Sequence, residues 1–94
     1  MNSIWSPSYT LLRTRLRELR ERAGITQVQL AAQLGKPQSY VSKVESGERK
    51  LDFLEVRDYC VMCGQAFTTF VEMLEPLLED PSARQSKKRN PPKA

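Results

Sequence analysis

The chain has 94 residues, of which 39% are hydrophobic and 28% are charged, and its formal net charge at pH 7 is +4. This length supports one domain with a modest core, and the composition is that of an ordinary soluble protein. No apolar run approaches the roughly 20 residues that cross a bilayer, and the chain contains no histidine, so we expect neither a membrane-spanning protein nor a histidine-based catalytic site.

The first predicted element is an amphipathic helix over residues 9–23. Leu16 and Leu19 belong to an apolar stripe at helical spacing, and arginines and glutamates occupy the other faces. Gly24 is a typical residue for the end of such a helix. We expect residues 1–8, which contain a proline between two serines, to be irregular.

Two short helices separated by a tight turn follow. The first covers residues 26–34, where Thr26 and Gln29 have the spacing of a capping box. Pro37 suits the first position of the next helix, which continues over residues 38–46. A glycine follows each helix, as expected for helix C-termini.

Two further helices complete the predicted set. Asp52 caps a helix over residues 53–63, and a glutamate three positions later completes its capping box. A fifth helix covers residues 66–75, and Pro76 either ends it or kinks it. Residues 81–94 contain three prolines, five basic residues and no hydrophobic periodicity, so we expect a disordered basic tail.

These elements predict an all-α fold, a compact five-helix bundle over residues 9–80, because no strand pattern or internal repeat is present. The second and third helices, with the tight turn at residues 35–37, are typical of a helix-turn-helix. In such a unit one helix enters the DNA major groove, roughly 12 Å wide, while the preceding helix crosses the phosphate backbone. We expect Ala31 and Ala32 to supply the small side chains that this close packing requires.

A set of short motifs at fixed spacing runs from the end of the first helix to the loop after the third. They are Gly24-Ile25-Thr26-Gln27, Leu34-Gly35, Tyr40-Val41-Ser42, Val44-Glu45-Ser46-Gly47 and Arg49. With these motifs the chain resembles the phage Cro and repressor type of helix-turn-helix protein, also called the XRE family, over about residues 12–75. The resemblance implies a lambda-repressor-like fold and binding to double-stranded DNA.

The resemblance also implies which side chains contact DNA. Base edges would be contacted from the third helix by Gln38, Ser39, Ser42 and Lys43. Phosphates would be contacted by Gln27, Arg49 and Lys50. The chemistry of the residues agrees independently, because glutamine can pair with adenine, lysine can donate to guanine, and serine can serve either role.

Two further positions follow from the family pattern. Arg20 and Glu45 correspond to positions that often form a buried ion pair between the first and third helices, although Arg20 could instead contact a phosphate. The family usually has Ser or Thr where Pro37 stands. We therefore expect Lys36 to be the residue that starts the third helix, without a capping oxygen.

Charge is distributed unevenly along the chain. Residues 1–51 carry a net +5, residues 52–80 a net −6 and residues 81–94 a net +5. This pattern suggests one face for a polyanion and another for a different partner, or chance segregation on a solvated surface. The arginines of the first helix are interpreted as a solvated face, and the basic tail as a solubility feature or a non-specific DNA arm.

The two cysteines, Cys60 and Cys63, have C-x-x-C spacing. A zinc site needs four ligands, and the chain offers no further cysteine and no histidine. A thioredoxin-like redox site needs a βαβ context, which is not predicted. We interpret the pair as small apolar residues on neighbouring turns of a helix, and we expect no metal and no cofactor.

The residue types and motifs of the chain do not favour an enzyme, because no paired-carboxylate cleft, phosphate-binding loop or metal-ligand set is present.

We expect a cytoplasmic transcriptional repressor that binds a pseudo-palindromic operator as a homodimer. Phe67, Phe70 and Leu74 form an apolar stripe that belongs either to the core or to the dimer interface. The alternative is an antitoxin that neutralises a partner protein through residues 52–80 or the Trp5 region and represses its own promoter.

Overall fold

The computed structural model describes residues 6–82 of the chain, and five α-helices make up the fold of this part. No strand occurs among these residues, which confirms the predicted all-α fold. The helices are α1 (Pro7–Arg22), α2 (Gln27–Leu34), α3 (Gln38–Ser46), α4 (Phe53–Met62) and α5 (Phe67–Leu74), followed by a 3₁₀ turn at Glu75–Leu77. No helix in this part of the chain has both the length and the apolar character of a membrane span.

Helix α1 begins earlier than its apolar periodicity predicts. Ser6 is the N-cap residue, and its Oγ accepts a hydrogen bond of 3.1 Å from the backbone N–H of Tyr9. Pro7 occupies the first helical position, where its missing N–H leaves no hydrogen bond unmade. The prediction of irregular chain through residue 8 is therefore wrong for Pro7 and Ser8, and the rest of that segment, residues 1–5, lies outside the described residues.

The two helices of the helix-turn-helix begin differently. At α2 the predicted capping box is confirmed, because Thr26 Oγ1 accepts from the Gln29 N–H at 3.0 Å and Gln29 Oε1 accepts from the Thr26 N–H at 2.9 Å. At α3 the N-cap is Pro37, with an extended ψ of 157° and no side-chain cap. Two expectations for this start are wrong, that Lys36 begins the helix and that Pro37 occupies its first helical position, since the helical backbone begins only at Gln38.

The C-terminal elements follow the predicted order with shorter helices. The capping box of α4 is confirmed, with Glu55 N–H donating to Asp52 Oδ1 at 2.8 Å and Asp52 N–H donating to Glu55 Oε1 at 2.9 Å. Pro76 lies in the 3₁₀ turn, so α5 ends before it. The disorder predicted from residue 81 is wrong for Pro81 and Ser82, which are helical, while residues 83–94 lie outside the described residues.

The core takes side chains from all five helices. Its buried apolar members are Leu16, Leu19, Leu30, Ala31, Val41, Val44, Val56, Tyr59, Cys60, Cys63 and Phe70. Ala31 is buried where α2 packs, whereas Ala32 is exposed, so the predicted packing role of Ala32 is wrong. Phe67 and Leu74 pack half-buried against this core.

Both cysteines are buried free thiols at the C-terminal end of α4. Burial is the main cause that raises the pKa of Cys60 to about 12 and that of Cys63 to about 11. Thiols with such pKa values are protonated at neutral pH and poor nucleophiles. They pack as small apolar residues, as their spacing on one helix predicts.

Candidate nucleic-acid interface

The outer face of α3 carries short polar side chains. Gln38, Ser39 and Lys43 are exposed and Ser42 is half-buried, whereas Val41 and Val44 on the opposite face are fully buried. This division follows from the helical period, which places positions four apart on the same side. The helix therefore presents hydrogen-bonding groups outward while its other side is fixed in the core.

Gln27, at the start of α2, lies beside the start of α3. Gln38 Nε2 donates a hydrogen bond of 3.3 Å to Gln27 Oε1. On its other side, Gln27 Nε2 donates to Glu45 Oε1 at 3.0 Å. Two side chains that the sequence assigns to different contacts, one to phosphate and one to bases, are thus joined on one surface.

Glu45 is the centre of a buried polar cluster. Arg20 donates to its carboxylate twice, from Nε to Oε2 at 2.7 Å and from Nη2 to Oε1 at 2.9 Å. The hydroxyl group of Tyr59 donates to Glu45 Oε2. The residues Arg20 and Glu45 are only 8% and 7% exposed. The cluster joins α1, α3 and α4, so it is a structural link between three helices.

Ionisation of this cluster follows from its contacts. Burial alone would raise the pKa of Glu45, but hydrogen bonds from Arg20, Tyr59 and Gln27 outweigh it and hold that pKa below its ordinary value. The hydrogen bond to Glu45 raises the pKa of Arg20. Arg20 also donates from Nη1 to the carbonyl oxygen of Ile25 at 2.8 Å. Its guanidinium is engaged inside the protein, which favours the structural role over phosphate contact.

The sequence did not indicate that the Tyr59 hydroxyl donates a hydrogen bond to Glu45. The only signal was its position three residues after Val56 on the apolar side of α4, which is equally typical of a core aromatic residue. Burial and the hydrogen bond to Glu45 raise the pKa of Tyr59 far above its ordinary value. Its hydroxyl therefore stays protonated and acts as a donor.

The arginines of α1 do not behave alike. Arg15 and Arg17 pair on the surface with Glu18 at 2.8 Å and Glu21 at 3.1 Å, as a solvated face implies. Arg13 instead donates from Nη1 to the backbone carbonyl of Glu45 at 2.9 Å. The interpretation of these arginines as a solvated face is wrong for Arg13, which ties α1 to the end of α3.

The loop after α3 is held by contacts on three sides. The Tyr9 hydroxyl donates to the carbonyl oxygen of Arg49 at 3.1 Å, and Arg49 Nη2 lies 2.9 Å from Glu55 Oε2. The Arg49 guanidinium also lies 4.8 Å from the ring centroid of Tyr40. Arg49 and the following Lys50 are nevertheless exposed, so the loop presents both cations beside α3.

Two further cations, which the family resemblance did not assign to DNA contact, border the same surface. Lys36 Nζ lies 5.3 Å from the ring centroid of Tyr40. Arg17 lines a cleft of about 250 Å³ together with Gln27, Ser42 and Ser46. Basic side chains therefore lie on either side of the outer face of α3, although Arg17 is paired with Glu21 and Arg49 with Glu55. Basic residues in such positions favour binding of a polyanion.

A separate group of exposed apolar side chains lies where α4 and α5 begin. Phe53 and Leu54, at the start of α4, are 72% and 67% exposed. The Phe53 ring packs edge-on against Phe67 with centroids 5.1 Å apart. We call these three residues the α4–α5 patch. Phe70, by contrast, is only 5% exposed and belongs to the core, so it is not available to a partner.

Comparisons with known proteins agree with this geometry. A family model described as a helix-turn-helix domain matches residues 11–66. A solved structure of an XRE-family like protein from Pseudomonas syringae pv. tomato str. DC3000 is similar, with 46% sequence identity and a TM-score of 0.72. The alignment covers 74% of this chain and 85% of that protein. A comparison with curated protein sequences found no match.

Proposed function

The chain belongs to the XRE family of helix-turn-helix DNA-binding proteins, and from this membership we propose that it is a transcriptional repressor that binds a pseudo-palindromic operator as a homodimer. The observation that carries the proposal is the polar outer face of α3 between flanking cations. Such a face can enter the major groove, where hydrogen bonds to base edges give specificity and cations on the phosphates give affinity.

In this proposal α3 is the recognition helix. Gln38 and Lys43 are its two long exposed side chains, and Ser39 and Ser42 lie between them. A glutamine can bind adenine in a bidentate manner, and a lysine can donate to guanine O6 or N7. These four residues are the proposed base contacts.

The proposed phosphate contacts flank α3. Gln27 sits at the start of α2, where backbone N–H groups also favour an anion. Arg49 and Lys50 lie in the loop on the other side. Arg49 Nη2 already lies 2.9 Å from Glu55 Oε2. The Arg49 guanidinium would therefore have to contact both that carboxylate and a phosphate.

A dimer is proposed because one recognition helix buries little surface, whereas two double the contacts. The recognition helices of such a dimer lie about one helical turn of DNA, roughly 34 Å, apart. The α4–α5 patch, which begins three residues after Lys50 in the sequence, is the proposed surface on which a second copy packs. Large exposed apolar groups of this kind typically mark protein interfaces.

Selection of bound sequences from a random-sequence DNA library tests the proposal. We expect an enriched motif with two half-sites related by two-fold symmetry, and light scattering should detect two copies of the protein on each duplex. A motif without repeated half-sites would contradict the dimer. The absence of any enriched motif would contradict sequence-specific binding and favour a role confined to a protein partner.

A further inference from the structure

A cleft of about 270 Å³ lies between α1 and the segment formed by α5 and the 3₁₀ turn. One wall of the cleft is an apolar stripe at helical spacing, made by Phe70, Met73, Leu74 and Leu77. Phe70 is buried and Leu74 half-buried in the core, whereas Met73 and Leu77 are 55% and 52% exposed. Such a stripe normally packs against another apolar surface, but here its outer part faces the open cleft.

The opposite wall, on α1, is polar and carries an unbalanced positive charge. Arg15 and Glu18 of this wall neutralise each other, with Arg15 Nη1 2.8 Å from Glu18 Oε1. Arg22 lies one turn further along the same wall. Within residues 6–82, the Arg22 guanidinium makes no hydrogen bond or ion pair. The cleft therefore attracts an anion.

Gln65, in the turn before α5, also lines the cleft. Its Oε1 is buried and has no hydrogen-bond donor in the part of the chain that the structure describes. A buried polar atom without a partner costs free energy of folding, so such atoms are uncommon in native proteins. Rotation of the terminal torsion lets an amide present either its oxygen or its NH₂ to a bound molecule.

We propose that this cleft is a binding site for a small amphipathic carboxylate, such as a medium-chain fatty acid. The carboxylate pairs with Arg22 and hydrogen-bonds to the Gln65 amide, and the alkyl chain covers the apolar stripe. The cleft is slightly smaller than the roughly 300–1,000 Å³ of sites for drug-sized molecules, so its ligand is small. None of the lining residues is a proposed DNA contact, so the inference does not depend on the proposed function.

The test uses the full chain with isotope-labelled methionine methyl groups, observed by NMR. Met73 lines the cleft, whereas Met62 is 40% exposed on α4 and does not line it, so Met62 is an internal control. Met73→Leu and Met62→Leu assign the two signals. Octanoate is titrated below the concentration at which it forms micelles. Octanol and octylammonium, which carry the same chain on a neutral and a cationic head group, are titrated in parallel.

We expect octanoate to shift the Met73 methyl signal in a saturable manner and to leave the Met62 signal unchanged. Arg22→Gln should weaken octanoate binding about fivefold or more, because the charged partner of the carboxylate is lost. The same variant should bind octanol within about twofold of wild type. Arg57→Gln is the matched control for octanoate, because Arg57 is an exposed arginine on α4 that does not line the cleft.

The length of the alkyl chain gives a second, independent measurement. Affinity should rise about three- to fourfold for each CH₂ group added from butanoate onward, because each group covers more of the apolar stripe. The rise should stop once the chain is longer than the cleft, since further groups stay in water. A bounded cleft predicts such a limit, whereas adsorption to an apolar surface does not.

Three results would overturn the inference, and each leaves the proposed function intact. The first is equal affinity for octanoate, octanol and octylammonium. The second is an affinity that keeps rising without a limit up to dodecanoate. The third is a Met73 signal that shifts with protein concentration alone and does not respond to octanoate, because a second copy of the chain then covers the cleft.

Discussion

The Arg13 side chain crosses Gly47 so closely that a Cβ at position 47 would lie 2.9 Å from Arg13 Nε. Gly47 also has φ of +92°, in the left-handed region that L-residues rarely adopt. We predict that Gly47→Ala is destabilised both by its backbone conformation and by displacement of Arg13 from the Glu45 carbonyl oxygen. The expected loss in the free energy of unfolding is about 2–4 kcal/mol, measured by urea denaturation.

Gly24→Ala is the matched control for Gly47→Ala. Gly24 has a similar φ of +73°, but a Cβ at position 24 would meet nothing within 4 Å beyond its own neighbours in the chain. Only the conformational cost applies there, about 1–2 kcal/mol. Equal losses in the two variants would contradict a packing role for Arg13 against Gly47.

The Arg20–Glu45 pair should contribute far more to stability than the surface ion pairs do. Removing one partner of a buried pair leaves an uncompensated charge, so Glu45→Ala should lower the free energy of unfolding by about 3–5 kcal/mol. Glu18→Ala, which breaks the half-exposed pair with Arg15, should lower it by at most about 1 kcal/mol. Similar melting temperatures for the two variants would show that Glu45 is not a structural link.

Replacing both Arg20 and Glu45 by apolar residues should recover, in two steps, the stability that Glu45→Ala loses. Arg20→Met combined with Glu45→Leu removes both charges but leaves the buried Tyr59 hydroxyl without its acceptor. Adding Tyr59→Phe should therefore stabilise this double variant by about 1–3 kcal/mol. The same Tyr59→Phe change in the wild-type background should destabilise, since Glu45 then loses a donor.

Stability should fall at acid pH through Glu45. Its pKa in the folded protein lies below the ordinary value of 4.5, so as the pH falls the unfolded chain takes up this proton first. The contribution of Glu45 is therefore fully present above the ordinary pKa and is lost as the pH falls through the folded-state value. Urea denaturation between about pH 6 and pH 3 should show a smaller loss for Glu45→Gln than for wild type. If the free energy of unfolding of the two proteins falls in parallel with pH, Glu45 is not the group responsible for the loss.

Local signals in the sequence were enough to predict much of the fold. Thr26 and Asp52 cap their helices as expected because a capping box involves residues only three positions apart. The polar outer side of α3 followed from the helical period alone. Ser6 escaped prediction because a serine before a proline is as typical of a turn as of a helix start.

The polar contacts between helices could not be predicted from local signals. The hydrogen bonds of Arg13 and Tyr59 to Glu45 join residues 32 and 14 positions apart. They depend on the way α1 and α4 cross α3. The spacing of apolar residues specifies which side of each helix is buried, but it does not specify which buried polar groups then meet.

Base and phosphate contacts should respond differently to mutation. Lys43→Ala should cost about 1–3 kcal/mol at the selected motif and relax the base preference at one position. Lys50→Ala should weaken binding to all sequences alike and reduce the slope of log affinity against log salt by about one. If Lys43→Ala leaves the ranking of motif variants unchanged, α3 is not the helix that reads the bases.

Leu54→Asp should separate the proposed dimer without unfolding the protein. Leu54 is 67% exposed in the first turn of α4, where a carboxylate is favourable for the helix. An acidic group in the α4–α5 patch would have to be buried or repelled when a second copy packs there. If the proposed dimer forms through this patch, sedimentation should detect dimers of the wild type and single copies of Leu54→Asp.

Val28→Asp is the matched control for the oligomeric state, because Val28 is 60% exposed at the equivalent position of α2. It should sediment like wild type.

On DNA, Leu54→Asp should bind an isolated half-site as wild type does. It should lose about tenfold or more in affinity for the complete two-fold motif, since the second half-site no longer binds within one assembly. A Leu54→Asp protein that stays dimeric would move the interface away from the α4–α5 patch, toward the exposed Met73 and Leu77 beside α1.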